Sequence, residues 1–145
     1  MFTGEHPLNV DDKGRLAVPA RYRQQLADTH GLQLYVTIVN LDGNARLEIY
    51  PAPVFKEIAE QIQQMEDRDL AEALKLGFVG RAVETEIDRQ GRIVLPPLLR
   101  RDAGIDNRAM LVGQITRFDV WEQATYEATR VPPDQLATAL QKIRR

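Results

Sequence analysis

Two short stretches of this 145-residue chain carry the side chains best placed to do chemistry: "VDDKGRLAVPARYR" at 10–23 and "IDRQGRIVLPPLLR" at 87–100. Each sets an aspartate four residues before an arginine with a glycine between them, Asp11 to Arg15 around Gly14 and Asp88 to Arg92 around Gly91. Two chemistries are open to such pairs. Asp11 and Asp88 could serve as an acid and a base, but a neighbouring arginine keeps a carboxylate ionised and makes it a poor general acid. Alternatively, the carboxylate fixes the pose of a guanidinium across a tight turn. A fork held in this way can make the bidentate contact to guanine O6 and N7, with about 1–3 kcal/mol of discrimination. One such pair on its own is better read as a lock on a turn; its recurrence in two diverged copies favours a surface role. Lys13, Arg89 and Arg21 are then candidate phosphate contacts, giving salt-dependent affinity without sequence preference.

Other chemistry finds little support. The chain has neither cysteine nor serine, which removes thiolate metal sites, disulfides and the commonest nucleophiles. His6 and His30 share no ligand-like spacing with each other or with a carboxylate pair, so no metal site is expected. "GFVG" at 77–80 is not followed by lysine and is no phosphate-binding loop. Neither an enzyme nor a cofactor is therefore expected.

The elements that must hold these residues occur twice. A shift of 77 pairs Asp11 with Asp88, Gly14 with Gly91, Arg15 with Arg92, Leu16 with Ile93, Val18 with Leu95 and Pro19 with Pro96. Further on, "GLQLYVTIV" at 31–39 answers "NRAMLVGQI" at 107–115, and "RLEIYPAPVF" at 46–55 answers "RFDVWEQATY" at 117–126. Two copies of so long a repeat predict one pseudo-twofold unit built by duplication, with repeats at 1–76 and 77–145. Within each copy, "HPLNV" or "VETEI" alternates as a half-buried strand, and "GRLAVP" or "GRIVLP" supplies a second strand. These pairs are expected to frame hairpins whose tight turns use Gly14 and Gly91 at positive φ. The prolines that follow suit helix starts, and Gly31 and Gly104 the helix ends. Between the halves, Phe55, Ile58, Ala59, Ile62 and Met65, then Leu70, Ala73 and Leu74, form helical stripes expected to pack on the sheet as core. "VPPDQLATALQKIRR" at 131–145 reads as another such amphipathic helix, with Asp134 near its start and Lys142, Arg144 and Arg145 at its end.

The net charge of −2 hides a separation. Residues 11–23 hold four basic and two acidic side chains, as do residues 88–102, so the rest of the chain is strongly acidic. No apolar run reaches membrane-spanning length, and the start "MFTGEHPLNV" lacks the pattern of a secretory signal, so a cytoplasmic protein without membrane attachment is expected.

The opening "HPLNVDDKGRLAVPARYR", the repeat "IDRQGRIVLPPLLRRDAGI" and the two-copy layout resemble the MraZ family of bacterial transcriptional regulators, whose halves are similar to AbrB-type DNA-binding domains. The family's twice-used Asp-x-x-x-Arg signature falls on Asp11 to Arg15 and Asp88 to Arg92. The resemblance implies a mainly β fold with packed helices, a swapped-hairpin β-barrel of AbrB type in two tandem copies. It further implies a ring-like homo-oligomer that binds short G-rich direct repeats of double-stranded DNA in the promoter of the division and cell-wall gene cluster, its own included, as a cytoplasmic, nucleoid-associated repressor. A ring could also offset the acidic charge, since linked weak contacts gain effective concentration. A competing reading is an antitoxin-like or scaffold module with the same barrel, which would be expected to append a disordered tail.

Overall fold

The repeat seen in the sequence reappears as a repeat of elements. The computed structural model describes residues 1–145. Its first half runs β1 (Glu5–Asn9), β2 (Arg15–Ala17), α1 (Ala20–Thr29), β3 (Gln33–Leu41), β4 (Asn44–Pro51), α2 (Ala52–Gln63) and α3 (Arg68–Gly77). After a 3₁₀ turn at Val79–Arg81, the second half runs β5 (Val83–Glu86), β6 (Arg92–Val94), α4 (Pro97–Asp102), β7 (Arg108–Gln114), β8 (Arg117–Glu122), α5 (Gln123–Ala128) and α6 (Pro133–Leu140). Pro19 and Pro96 stand immediately before α1 and α4, where a missing N–H leaves no intrahelical bond unmade. No helix is long and apolar enough to cross a membrane.

Strand pairing crosses between the halves. One antiparallel sheet has the order β1-β7-β8-β4-β3-β5, and a second consists of β2 and β6 alone. Thus β1 of the first half lies on β7 of the second, with Leu8 opposite Ala109, while β5 of the second lies on β3 of the first, with Thr85 opposite Leu34. This corrects the hairpins expected from sequence. In the first copy only a single bridge, Val10 to Leu16, joins the segments flanking the turn, and the strands then diverge to partners in the other half. Period-two alternation specifies which face a strand buries but not which strand lies beside it.

The core fills the space between the six-stranded sheet and the ribbon. Val10, Leu16, Val18, Tyr22 and Leu26 are buried in one cluster with Ile87, Ile93, Leu95, Leu99 and Ala103, their equivalents at the 77-residue shift. Leu47, Ile49, Phe118 and Val120 meet them from the central strands. Full burial of a side chain of this size contributes about 1.5–3 kcal/mol, so the duplicated apolar positions hold the two halves as one unit.

The other face of β4 and β8 is ionic. Glu48 lies directly opposite Asp119, a juxtaposition of like charges that is unfavourable unless neutralised. Arg46 and Arg117 provide the neutralisation. Arg46 Nη2 is 2.7 Å from Glu48 Oε2 and Arg117 Nε is 2.9 Å from Asp119 Oδ1, with cross-contacts of 3.4 Å from each arginine to the other acid. Tyr50 donates to Glu48 Oε1 at 2.6 Å. The guanidiniums in turn lie over rings, Arg46 over Trp121 and Arg117 over Tyr50, each pair related to the other by the repeat. Burial pushes the Asp119 carboxyl above the ordinary aspartate value against the pull of Arg117, so its own contribution to stability weakens as pH rises through its raised pKa.

The helices depart from expectation. Phe55 and Ile62 of α2 are buried, and Phe55 stacks on Tyr35 of β3 at 4.7 Å. Leu70 and Leu74 of α3, expected in the core, are 57% and 36% exposed. The C-terminal α6 buries no residue at all. Helical spacing marks an apolar face without saying whether its own chain supplies the cover.

Removing one partner from a buried ion network leaves the remaining charges uncompensated, at a cost of about 3–5 kcal/mol. Asp119→Ala is therefore expected to lower the urea-unfolding free energy by about 3 kcal/mol, and a loss below about 1 kcal/mol would show the quartet to be dispensable.

Candidate nucleic-acid interface

The two turns are built alike. Asp11 Oδ1 accepts from Lys13 N–H at 3.0 Å and Arg15 N–H at 2.8 Å, and Asp88 Oδ1 accepts from Gln90 N–H at 2.8 Å and Arg92 N–H at 2.9 Å. Backbone bonds close each ring: Gly14 N–H to Asp11 C=O and Gly91 N–H to Asp88 C=O, both at 3.0 Å. Gly14 and Gly91 have φ of +78° and +79°, a conformation costly for any residue with a Cβ. The backbone N–H of Arg15 is the largest influence holding the Asp11 carboxyl below its usual range, and that of Arg92 does the same for Asp88. Both therefore stay ionised at neutral pH.

Each turn is also clamped by the opposite half. Leu95 N–H donates to the Gly14 carbonyl at 2.8 Å, and Val18 N–H donates to the Gly91 carbonyl at 2.9 Å. A Cβ at Gly91 would come within 2.8 Å of the Arg23 guanidinium, and one at Gly14 within 3.4 Å of Arg100 Nη1. Arg23 and Arg100, themselves equivalent in the repeat, are fixed by backbone carbonyls: Arg23 Nε donates to Val18 at 3.1 Å and Arg100 Nε to Ile105 at 3.0 Å. Neither was singled out from the sequence, because a guanidinium packed on a glycine of the other half leaves no local signature. The 77-residue match of the two arginines was the available signal.

The ribbon brings the two signature arginines together. In its register Arg15 faces Val94, Leu16 faces Ile93 and Ala17 faces Arg92. Leu16 and Ile93 point into the core, so Arg15, Ala17, Arg92 and Val94 share the outward face. Arg15 and Arg92 are diagonal neighbours, about 7–8 Å apart in backbone terms. They are not identically set. Arg15 Nε donates to Asp11 Oδ2 at 2.7 Å, leaving its terminal nitrogens without a protein acceptor. Arg92 Nε stands 3.5 Å from Asp88 Oδ2 without forming a hydrogen bond, and Arg92 Nη2 donates to Gln90 Oε1. Gln90 occupies the place of Lys13, so the second turn trades a cation for an amide that engages its own arginine.

Of the candidate phosphate contacts, two lie on these turns and one on α1. Lys13 and Arg89 are exposed on the turns themselves. Arg21 sits exposed near the start of α1, where Nη2 donates to Thr3 Oγ1 at 3.4 Å. No group of three or more acidic or histidine side chains is arranged to hold a metal ion.

Fold and ribbon define a duplicated, strand-exchanged β protein with two aspartate-braced arginine turns on one face. A sequence model described as "MraZ protein, putative antitoxin-like" matches residues 1–77 and 78–131. The chain is 41% identical over 127 residues to the transcriptional regulator MraZ of Alcanivorax borkumensis, covering 87% of this chain and 86% of that one. It is 42% identical over 129 residues to the regulator of that name from Shewanella amazonensis (88% and 84% covered) and 39% over 129 residues to that from Pseudomonas aeruginosa (88% and 84%). The chain belongs to the MraZ family of transcriptional regulators.

Because the folded-state pKa values of Asp11 and Asp88 lie below the ordinary 3.8, the stability these carboxylates contribute is present above that value and is lost as pH falls through the lowered ones. Urea unfolding of the wild type and of Asp11→Ala/Asp88→Ala is expected to show a gap that is constant above about pH 5 and closes on acidification below pH 4. A gap that widens on acidification would contradict the brace.

Proposed function

We propose that the β2–β6 ribbon reads double-stranded DNA, with Arg15 and Arg92 contacting guanines in the major groove. The observation that carries this reading is their placement on one outward face of a single ribbon, each beside an ionised aspartate. Strands of three residues span about 10 Å, and a two-stranded ribbon fits a major groove about 12 Å wide. Arg15, with its terminal nitrogens free, is the primary reader; Arg92 must exchange Gln90 for a base edge. Lys13, Arg89 and Arg21 neutralise flanking phosphates, while Asp11, Asp88, Gly14 and Gly91 hold the turns. No catalytic step, cofactor or metal enters this activity.

Self-association supports the reading in energetic terms. A subunit of net charge −2 that offers a few cations neutralises few phosphates and binds weakly alone. Copies joined in a ring present several ribbons, and repeated sites about one helical turn apart can engage them together. The protein then acts in the cytoplasm at the nucleoid, as a repressor of the division and cell-wall gene cluster and of its own promoter, through short G-rich direct repeats.

Arg15→Ala is expected to weaken binding to DNA carrying spaced G-rich repeats by roughly 5- to 150-fold, corresponding to about 1–3 kcal/mol, and Arg92→Ala by less, with little effect on scrambled DNA. Gel shifts at fixed salt measure both. Undiminished specific binding by the double variant would overturn the assignment.

A further inference from the structure

Two features of the surface match each other. The first is a groove. Two adjoining hollows of about 400 and 380 Å³ share Met65, Leu74 and Phe78, and run from Ile58 on α2 past Leu70 on α3 to Ile38 and Val39 on β3. Leu70 and Leu74 stand open along it. The second is α6, exposed at every residue from 130 to 139. Leu136, Leu140 and Ile143 fall at i, i+4 and i+7, which places them on one face of the helix and the turn that ends it.

An eight-residue helix does not sustain itself in water, because nucleation is unfavourable and short helices rely on packing of an apolar face. The body of its own chain buries no residue of α6 fully, covering Leu140 only in part and leaving Leu136 and Ile143 49% and 59% exposed. Charge points the same way. Residues 52–77 hold six acidic side chains (Glu57, Glu60, Glu66, Asp67, Asp69 and Glu72) against three basic ones. Residues 130–145 hold Arg130, Lys142, Arg144 and Arg145 against Asp134 alone.

We infer that α6 of one copy docks its Leu136–Leu140–Ile143 face into the α2–α3 groove of a second copy, with its basic end against the acidic helices. This is helix-in-groove recognition, in which i, i+4 and i+7 anchors fill an apolar trough. Helix and groove are different patches, so the contact is heterologous and passes from copy to copy, closing into a ring when the rotation permits. The inference rests on the self-association proposed above and names the surfaces that make it.

The chain has no cysteine, so introduced thiols report pairing cleanly. Leu136→Cys and Leu70→Cys, made separately in the full chain, are mixed, exchanged and oxidised, while light scattering follows the wild type. The expected result is an assembled wild type, a covalent dimer in the mixture only, and loss of the assembled species with Leu136→Glu. An assembled wild type with no cross-link between the mixed variants would overturn the docking while leaving self-association intact. A wild type that scatters as a monomer would overturn both, and would leave α6 and the groove to partners of another kind.

Discussion

The Gly14 carbonyl accepts from Leu95 and the Gly91 carbonyl from Val18, so the turn of each half is fastened to the strand of the other. Each turn closes on its own aspartate, but its glycine carbonyl finds its partner only when both repeats are folded and exchanged. Arg23 and Arg100 extend the same reciprocity to side chains, each lying over the glycine of the opposite turn. The positions of Arg15 and Arg92 on one ribbon face follow from this constraint. Strands that exchange across a pseudo-twofold axis bring the two signatures side by side, where separate hairpins would carry them on separate ribbons.

Behind the ribbon, the sheet is held together by two kinds of contact. On the inner face, duplicated apolar residues such as Leu16 and Ile93 interdigitate. On the outer face, the Arg46, Glu48, Arg117 and Asp119 quartet joins the central strands. The quartet is costly to bury and demands its partners, since either acid alone opposite the other would repel. It therefore penalises mispairing of β4 with β8 more than it adds net stability. The aromatic rings of Tyr50 and Trp121 beneath the guanidiniums give the same arrangement twice.

Much of this was legible in the sequence, and what was not has identifiable causes. The repeat, the turn signatures, the glycines and the helix starts were readable because each depends on residues close along the chain. Strand partners were not: "HPLNV" announces a buried face, while its neighbour β7 begins about a hundred residues later. Arg46 and Glu48 alternate with Leu47 and Ile49, a pattern that ordinarily means a solvated face, and only α2, α5 and their aromatic residues turn it into an interior. Arg23 carries no local mark of its role, because the glycine it covers belongs to the other repeat. The stripe of α3 predicts core and is instead open, because spacing reveals an apolar face but not what meets it. The residues of the ribbon itself needed no such distant information, which is why Asp11, Arg15, Asp88 and Arg92 could be singled out first.

Guanine N7 is the atom that a bidentate arginine on this ribbon must reach. Methylating N7 removes the acceptor that a bidentate arginine uses, so a methylation-interference experiment on DNA bearing G-rich repeats reads the contact itself. The expected result is that the wild type is excluded by methylation at one or two guanines in each repeat, and that Arg15→Ala/Arg92→Ala shows no such interference in whatever residual binding it retains. Interference that is absent from the wild type, or unchanged in the double variant, would contradict recognition through this ribbon.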